Sequence, residues 1–231
     1  MATEPPGMGA AFLGLDPARL ERRRRQNLAA PRTDARAVVP SIRNFAQAID
    51  RQRAQVERIP VLRATRPDLV PVAAALDAAE VAALALSVDD PQAELRAFAE
   101  AARAVTVPVL RTDLILEEFQ IYQTRAAGGD AVLLVAAALP GELLARLCSI
   151  AASTHMTSCV LCEDRAELER AIAARASAVA LRDLSLPVPR RTLVVALADA
   201  ASGADAMLDA SLGDAADPAS EFRRHLDGSA V

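Results

Sequence analysis

The chain has 231 residues, 52% of them hydrophobic, and a formal net charge of −4. That length suits an α/β barrel of ~200–250 residues, and the mild acidic balance gives no reason to expect nucleic acid as a partner. No uncharged run approaches the ~20 apolar residues that span a bilayer, and Met1 to Pro6 lacks a basic segment leading into an apolar one, so a cytoplasmic protein without membrane contact is expected.

Residues 1–14 are rich in glycine and proline and are read as a disordered N-terminus ahead of one domain over 15–231. A helix follows from Asp16 to Ala29, with Asp16 as N-cap and Pro17 at the first helical position. It carries the run Arg19-Leu-Glu-Arg-Arg-Arg-Arg25, a basic docking patch or a solvated helix face. The short run in a domain that is not basic favours the solvated face. Ser41 is positioned to cap a second helix towards Val56, with Ile42, Phe45, Ala46 and Ile49 at helical spacing.

From residue 59 short apolar runs alternate with amphipathic stretches. The expected strands are Ile59–Arg63, Val81–Ser87, Val107–Arg111, Ala131–Val135, Thr157–Leu161, Ala178–Leu181, Leu193–Leu197 and Ala206–Asp209. Helices are expected at Leu69–Ala79, Pro91–Ala104, Glu117–Ala127, Pro140–Ser153 and Asp164–Ala174. Strict alternation implies a parallel sheet covered by helices. Eight strands favour a closed (β/α)8 TIM barrel with an N-terminal helical extension. No G-x-G-x-x-G or Walker glycine pattern opens a helix, which argues against a nucleotide-binding sheet.

The last third departs from that rhythm. Only Arg182–Thr192 and Ala198–Asp205 separate the last three strands, whereas a parallel crossover normally takes a dozen or more residues. Outer helices 6 and 7 are therefore expected to be missing or reduced. The barrel surface so uncovered near strands 6–8 is a candidate interface for a protein partner or a second copy.

The segment Val107-Pro-Val-Leu-Arg-Thr-Asp-Leu114, followed by Gln120-Ile-Tyr-Gln-Thr-Arg-Ala-Ala-Gly-Gly-Asp-Ala-Val-Leu-Leu-Val135, resembles the third to fourth strands of indole-3-glycerol phosphate synthases. Arg43-Asn-Phe-Ala-Gln-Ala48 and Cys162-Glu-Asp-Arg-Ala-Glu-Leu168 extend the likeness in both directions. The resemblance implies a barrel enzyme that decarboxylates and cyclises a carboxyphenylamino-deoxyribulose phosphate in tryptophan biosynthesis. That family uses two lysines and two glutamates at the C-terminal ends of its strands.

Carried over residue by residue, the catalytic set is absent. The first-strand glutamate and lysine fall on Val61 and Arg63, and the general-acid lysine of the third strand falls on Thr112. The fifth-strand glutamate falls on Leu161, and two further polar ligands, the sixth-strand asparagine and the seventh-strand glutamate, fall on Ala180 and Leu197. On the last strand Asp209 places a carboxylate where the family's backbone approaches a phosphate, a repulsive arrangement. Independently of any alignment, all 26 basic residues are arginine and none is lysine. No side-chain amine is available for proton transfer near neutral pH, and guanidinium does not release its proton there.

Arg63, Arg111, Arg182 and Ser211 are the residues that could line the barrel mouth and hold an anionic small molecule through arginine forks. The bland alternative is that these arginines pair with Asp113, Asp183, Asp209 or Glu163 and merely close the barrel top. Asp113 with Glu163 could form an acid/base pair for a new reaction, though nothing in their spacing demands it. Cys159 and Cys162 form a C-x-x-C, but residues three apart on a strand point to opposite faces, so no metal site is expected. Cys148 reads as core and His225 as a surface residue, and no cofactor is implied. Two functions from different classes stay open: a non-catalytic pseudoenzyme acting through protein or anionic-metabolite binding, or an indole-3-glycerol phosphate synthase-like carbon–carbon lyase or repurposed barrel enzyme.

Overall fold

Eight parallel strands close on themselves in sequence order in the computed structural model, β1 pairing with both β2 and β8. The structure describes residues 15–33, 38–50, 56–197 and 203–227; the 1–14 segment read as disordered lies outside them. The strands are β1 (Glu57–Arg63), β2 (Leu84–Ser87), β3 (Val109–Thr112), β4 (Ala131–Val135), β5 (Thr157–Cys162), β6 (Ala178–Leu181), β7 (Leu193–Ala196) and β8 (Ala206–Asp209). The helices are α1 (Pro17–Ala29), α2 (Phe45–Ile49), α3 (Leu69–Asp77), α4 (Pro91–Arg103), α5 (Glu118–Ala126), α6 (Gly141–Ser153), α7 (Arg165–Ala173), α8 (Ala210–Asp214) and α9 (Pro218–Leu226). The fold is a (β/α)8 TIM barrel with an N-terminal helical extension.

Strand alternation sorts the core into an inside and an outside. Ile59, Val61, Ala85, Leu110, Leu133, Leu161, Ala180, Val195 and Leu208 share one interior cluster. Their neighbours Leu62, Leu84, Leu86 and Val109 pack outward against α3 and α4, and Val132, Val160 and Val179 against α6 and α7. Helix starts follow the capping residues: Asp16, Asp90, Asp164 and Asp217 each accept a backbone N–H of their first turn. Second and third strands begin later than expected, at Leu84 and Val109.

Ser41 does not cap the second helix. Asn44 does, accepting the Gln47 amide, and the helix runs only Phe45–Ile49, with 51–55 outside the described residues. Ser41 instead hydrogen-bonds Asp130 at 2.5 Å, and Ile42, expected on the apolar face, is 99% exposed. Arg43 donates to the carbonyls of Ala102, Val105 and Gly128 and pairs with Asp130. These contacts seat α2 under the N-terminal end of the barrel, where Phe45 and Ile49 join the interior cluster.

Among the described residues no helix lies between β6 and β7 or between β7 and β8, the 198–202 stretch being outside them. The 182–192 connection crosses without one because an extended segment of that length reaches about 36 Å, well beyond the about 13 Å rise of a four-residue strand. Its Leu184, Leu186 and Val188 pack against the outer cluster that holds Val179 and Leu181, standing in for part of the absent helix. No described helix is long and apolar enough to cross a membrane.

Candidate functional site

The C-terminal rim of the barrel is where strand ends converge. Cross-strand register places Arg63, Ser87 and Thr112 in one row, and Leu161, Ala180 and Val195 in another. Alternation turns Arg63 and Thr112 towards the mouth, below which Val61, Leu110 and Leu161 are packed. Thr112 is buried, and its hydroxyl makes one long contact to the Leu86 carbonyl at 3.4 Å. Leu197 packs against the interior cluster, while Ala198 and Asp199 fall outside the described residues. At the mouth end of β1 Arg63 carries a charge, and the Cys159 thiol inside the barrel is pushed far up by burial and so stays protonated.

Arg63 reaches Asp214 across 3.7 Å, with both side chains more than half exposed. Arg182 meets Glu163 at 3.3 Å across the β5–β6 rim. Ser211 donates to Asp209 at 2.7 Å, within the first turn of α8. Arg63, Arg182 and Ser211 sit at the rim, and each already has a partner.

Arg111 does not line the mouth. It follows Leu110 and precedes Thr112, so it points outward, fully buried between β3 and α5. It donates to Asp113, to Thr124 at 3.0 Å and to Gln123 at 3.4 Å. Asp113 is withdrawn from the mouth by the same pairing and cannot serve as an acid or base with Glu163. Asp209 is likewise no phosphate-repelling charge. Its carboxylate pairs with Arg58 and accepts from Ser211 and the Leu212 amide. Burial works to raise its pKa, but these hydrogen bonds outweigh that and hold it below the usual carboxylate value.

Helix α1 lies across the mouth on the side of β2 and β3. Leu15 and Leu20 pack on the interior cluster, and Arg19 pairs with Asp89 at 3.2 Å. Arg23 donates to the Val88 and Asp89 carbonyls and stands 3.5 Å from Asp113. Burial lowers its pKa, against the pull of Asp113. Asn27 donates to Gln120, whose carbonyl oxygen also accepts the Leu116 and Glu117 amides. The basic run is thus not one solvated face: Arg22, Arg24 and Arg25 are exposed, whereas Arg23 is buried. The missed signal was the four-residue spacing of Arg19, Arg23 and Asn27, which shares a face with Leu20.

Cys159 faces the barrel interior and Cys162 the outer cluster, so the C-x-x-C diverges as alternation requires. Burial pushes Cys162 up to about 12 and raises Cys148 as well. No group of three or more potential metal ligands occurs among the described residues. His225 is half-buried on α9, its Nδ1 3.0 Å from the Glu221 carbonyl.

Residues 18–192 match the family model for indole-3-glycerol phosphate synthase. A synthase of that name from Chlorobium phaeovibrioides is 32% identical over 178 residues, covering 72% of this chain and 69% of the relative. One from Neisseria meningitidis serogroup C is 43% identical over 109 residues, 46% of this chain, and the match spans 42% of the relative's length. Among solved structures a native KDPGal structure superimposes with a TM-score of 0.55 at 16% identity, over 77% of this chain and 98% of that one. At that identity the likeness concerns the fold alone.

Proposed function

Because the chain belongs to the indole-3-glycerol phosphate synthase family, we propose that it is a member that binds at the barrel mouth without catalysing the family's ring closure. The observation that carries this is the row Arg63–Ser87–Thr112, where the resemblance calls for lysines at Arg63 and Thr112. Decarboxylative cyclisation needs a proton donor at the carbonyl and a second acid/base group. Here Val61, Leu161 and Leu197 replace carboxylates by aliphatic carbon, and a guanidinium holds its proton near neutral pH. The ligand is an anionic metabolite. Arg63 meets Asp214 through an exposed contact at 3.7 Å, which a carboxylate or phosphate can replace with better fork geometry, and Arg182 stands with Glu163 on the same rim.

A second function is favoured by the relatives' names: indole-3-glycerol phosphate synthase itself, a lyase of tryptophan biosynthesis. The two are separated by incubating pure protein with the carboxyphenylamino-deoxyribulose phosphate substrate and following indole emission. The chain has no tryptophan and one tyrosine, Tyr122, so its own emission background is low. A flat trace beside an active synthase is expected, with substrate binding still measurable by calorimetry and weakened in Arg63→Ala. Product formation in proportion to protein would replace the binding function by the synthase.

The outer face of β7 and β8, where Val194 and Met207 are half-buried and neither β6 nor β7 is followed by a described helix in the chain, is our proposed contact for a second copy. Light scattering should then give a dimer; a monomer throughout the micromolar range counts against it.

A further inference from the structure

Away from the mouth floor, α1, α4 and α5 enclose a cavity of about 300 Å³ lined by Asn27, Ala30, Pro31, Pro91, Leu95 and Gln123. That is the low end of small-molecule sites, about 300–1,000 Å³. Gln26 and Gln92 complete the wall, so its polar groups are four carboxamides and none is charged. Asn27 is 2% exposed; its Nδ2 is committed to Gln120, and its Oδ1 has no partner among the described residues. Gln123 turns its Oε1 to the buried Arg111, which leaves its Nε2 as a donor. The wall therefore offers a fixed acceptor and a fixed donor from neighbouring helices, each oriented by a second hydrogen bond. Pro31, Pro91 and Leu95 supply the apolar part of the lining.

We propose that this cavity binds an uncharged, planar small molecule bearing a carboxamide-type edge, such as a ring amide or lactam. The ligand's N–H meets Asn27 Oδ1 and its carbonyl meets Gln123 Nε2. A charged ligand is disfavoured because no counter-charge lines the wall and burying an unpaired charge is costly. Occupancy bridges α1 to α4 and α5, and so steadies the helix that lies across the mouth.

The test uses the whole chain with nicotinamide as probe and nicotinate, its charged counterpart, as control. Saturable nicotinamide binding is expected, with shifts in the Asn27 and Gln123 side-chain amide resonances and nicotinate weaker by at least about tenfold. Ala30→Phe fills the cavity and should weaken nicotinamide by at least about tenfold. Gln92→Trp, at the exposed first turn of α4, fills it from the opposite wall and serves if the first variant does not fold. Absence of saturable nicotinamide binding, equal binding of nicotinate, or undiminished binding in a folded cavity-filled variant would each overturn the proposal.

Discussion

The Arg111 guanidinium closes on the Asp113 carboxylate at 2.6 Å, with both side chains wholly excluded from solvent on the outer face of β3. Arg111 donates through both Nε and Nη2 to the same oxygen, Oδ2, while Oδ1 has no hydrogen-bond partner among the described residues. Arg23 approaches that same oxygen from α1. One carboxylate thus balances two buried cations, and it ties the helix over the mouth to the strand beneath it.

Removing that charge while keeping the shape should be severe. Asp113→Asn leaves two buried guanidiniums uncompensated, for which about 3–5 kcal/mol of lost stability is expected. Thr112→Val, which keeps the side-chain shape and loses the long contact to the Leu86 carbonyl, should cost about 1 kcal/mol. Urea unfolding of both variants measures the contrast; equal losses would mean the ion cluster does not hold β3 and α1 together.

Asp209 gives the barrel seam an acid sensitivity. Its folded-state pKa is lowered from 3.8, so the unfolded chain takes up protons first as the pH falls. The stabilisation is complete above the ordinary carboxylate range and is lost as the pH drops through the lowered value. Asp209→Asn, stripping Arg58 of its counter-charge, should lower neutral-pH stability by about 1–3 kcal/mol and flatten the decline in acid. A denaturation series from neutral to acidic pH reads both effects, and an unchanged acid profile would remove Asp209 from the account.

The three thiols should be inert. All are buried, and burial raises each pKa, Cys162 to about 12. Thiolate is the reactive form, so Ellman's reagent is expected to report no fast thiol in the native protein and all three in denaturant. A rapid native reaction would place one of them at an opening to solvent.

Gly213 holds α8 against the first strand. A Cβ there would stand 1.8 Å from the Val61 carbonyl oxygen, an approach that backbone cannot yield to cheaply. Gly213→Ala should cost about 3 kcal/mol, the upper end of overpacking, and should weaken anion binding at Arg63 by shifting the strand end. Thermal unfolding within a degree or two of wild type would show that α8 can simply move away.

Much of the barrel was legible because buried parallel strands read as short apolar runs, and aspartate with proline marks helix starts. Asp90-Pro91 and Asp217-Pro218 are such starts. Placement of the rim was legible only in part. Arg63 and Thr112 face the mouth, but Arg111, adjacent to Thr112, had to face away. The alternation that separates Cys159 from Cys162 applies equally to Arg111, whose neighbours Leu110 and Thr112 both point inward. Ser41 failed as a cap because its hydroxyl found Asp130, far along the chain, a better partner than its own helix.

By itself the amino-acid sequence determined the order of strands and helices, the lack of any lysine amine, and the aliphatic side chains at Val61, Leu161 and Leu197. These follow from local periodicity and from composition, which neighbouring residues carry. Only the tertiary structure decided which arginines are buried, where α1 lies and that a carboxamide-lined cavity opens beside it. Asn27 meets Gln120 93 positions away, and Arg58 meets Asp209 151 positions away. A charge is buried or exposed according to what such distant partners bring to it, because desolvation must be offset by a specific counter-charge or hydrogen bond that no local pattern records.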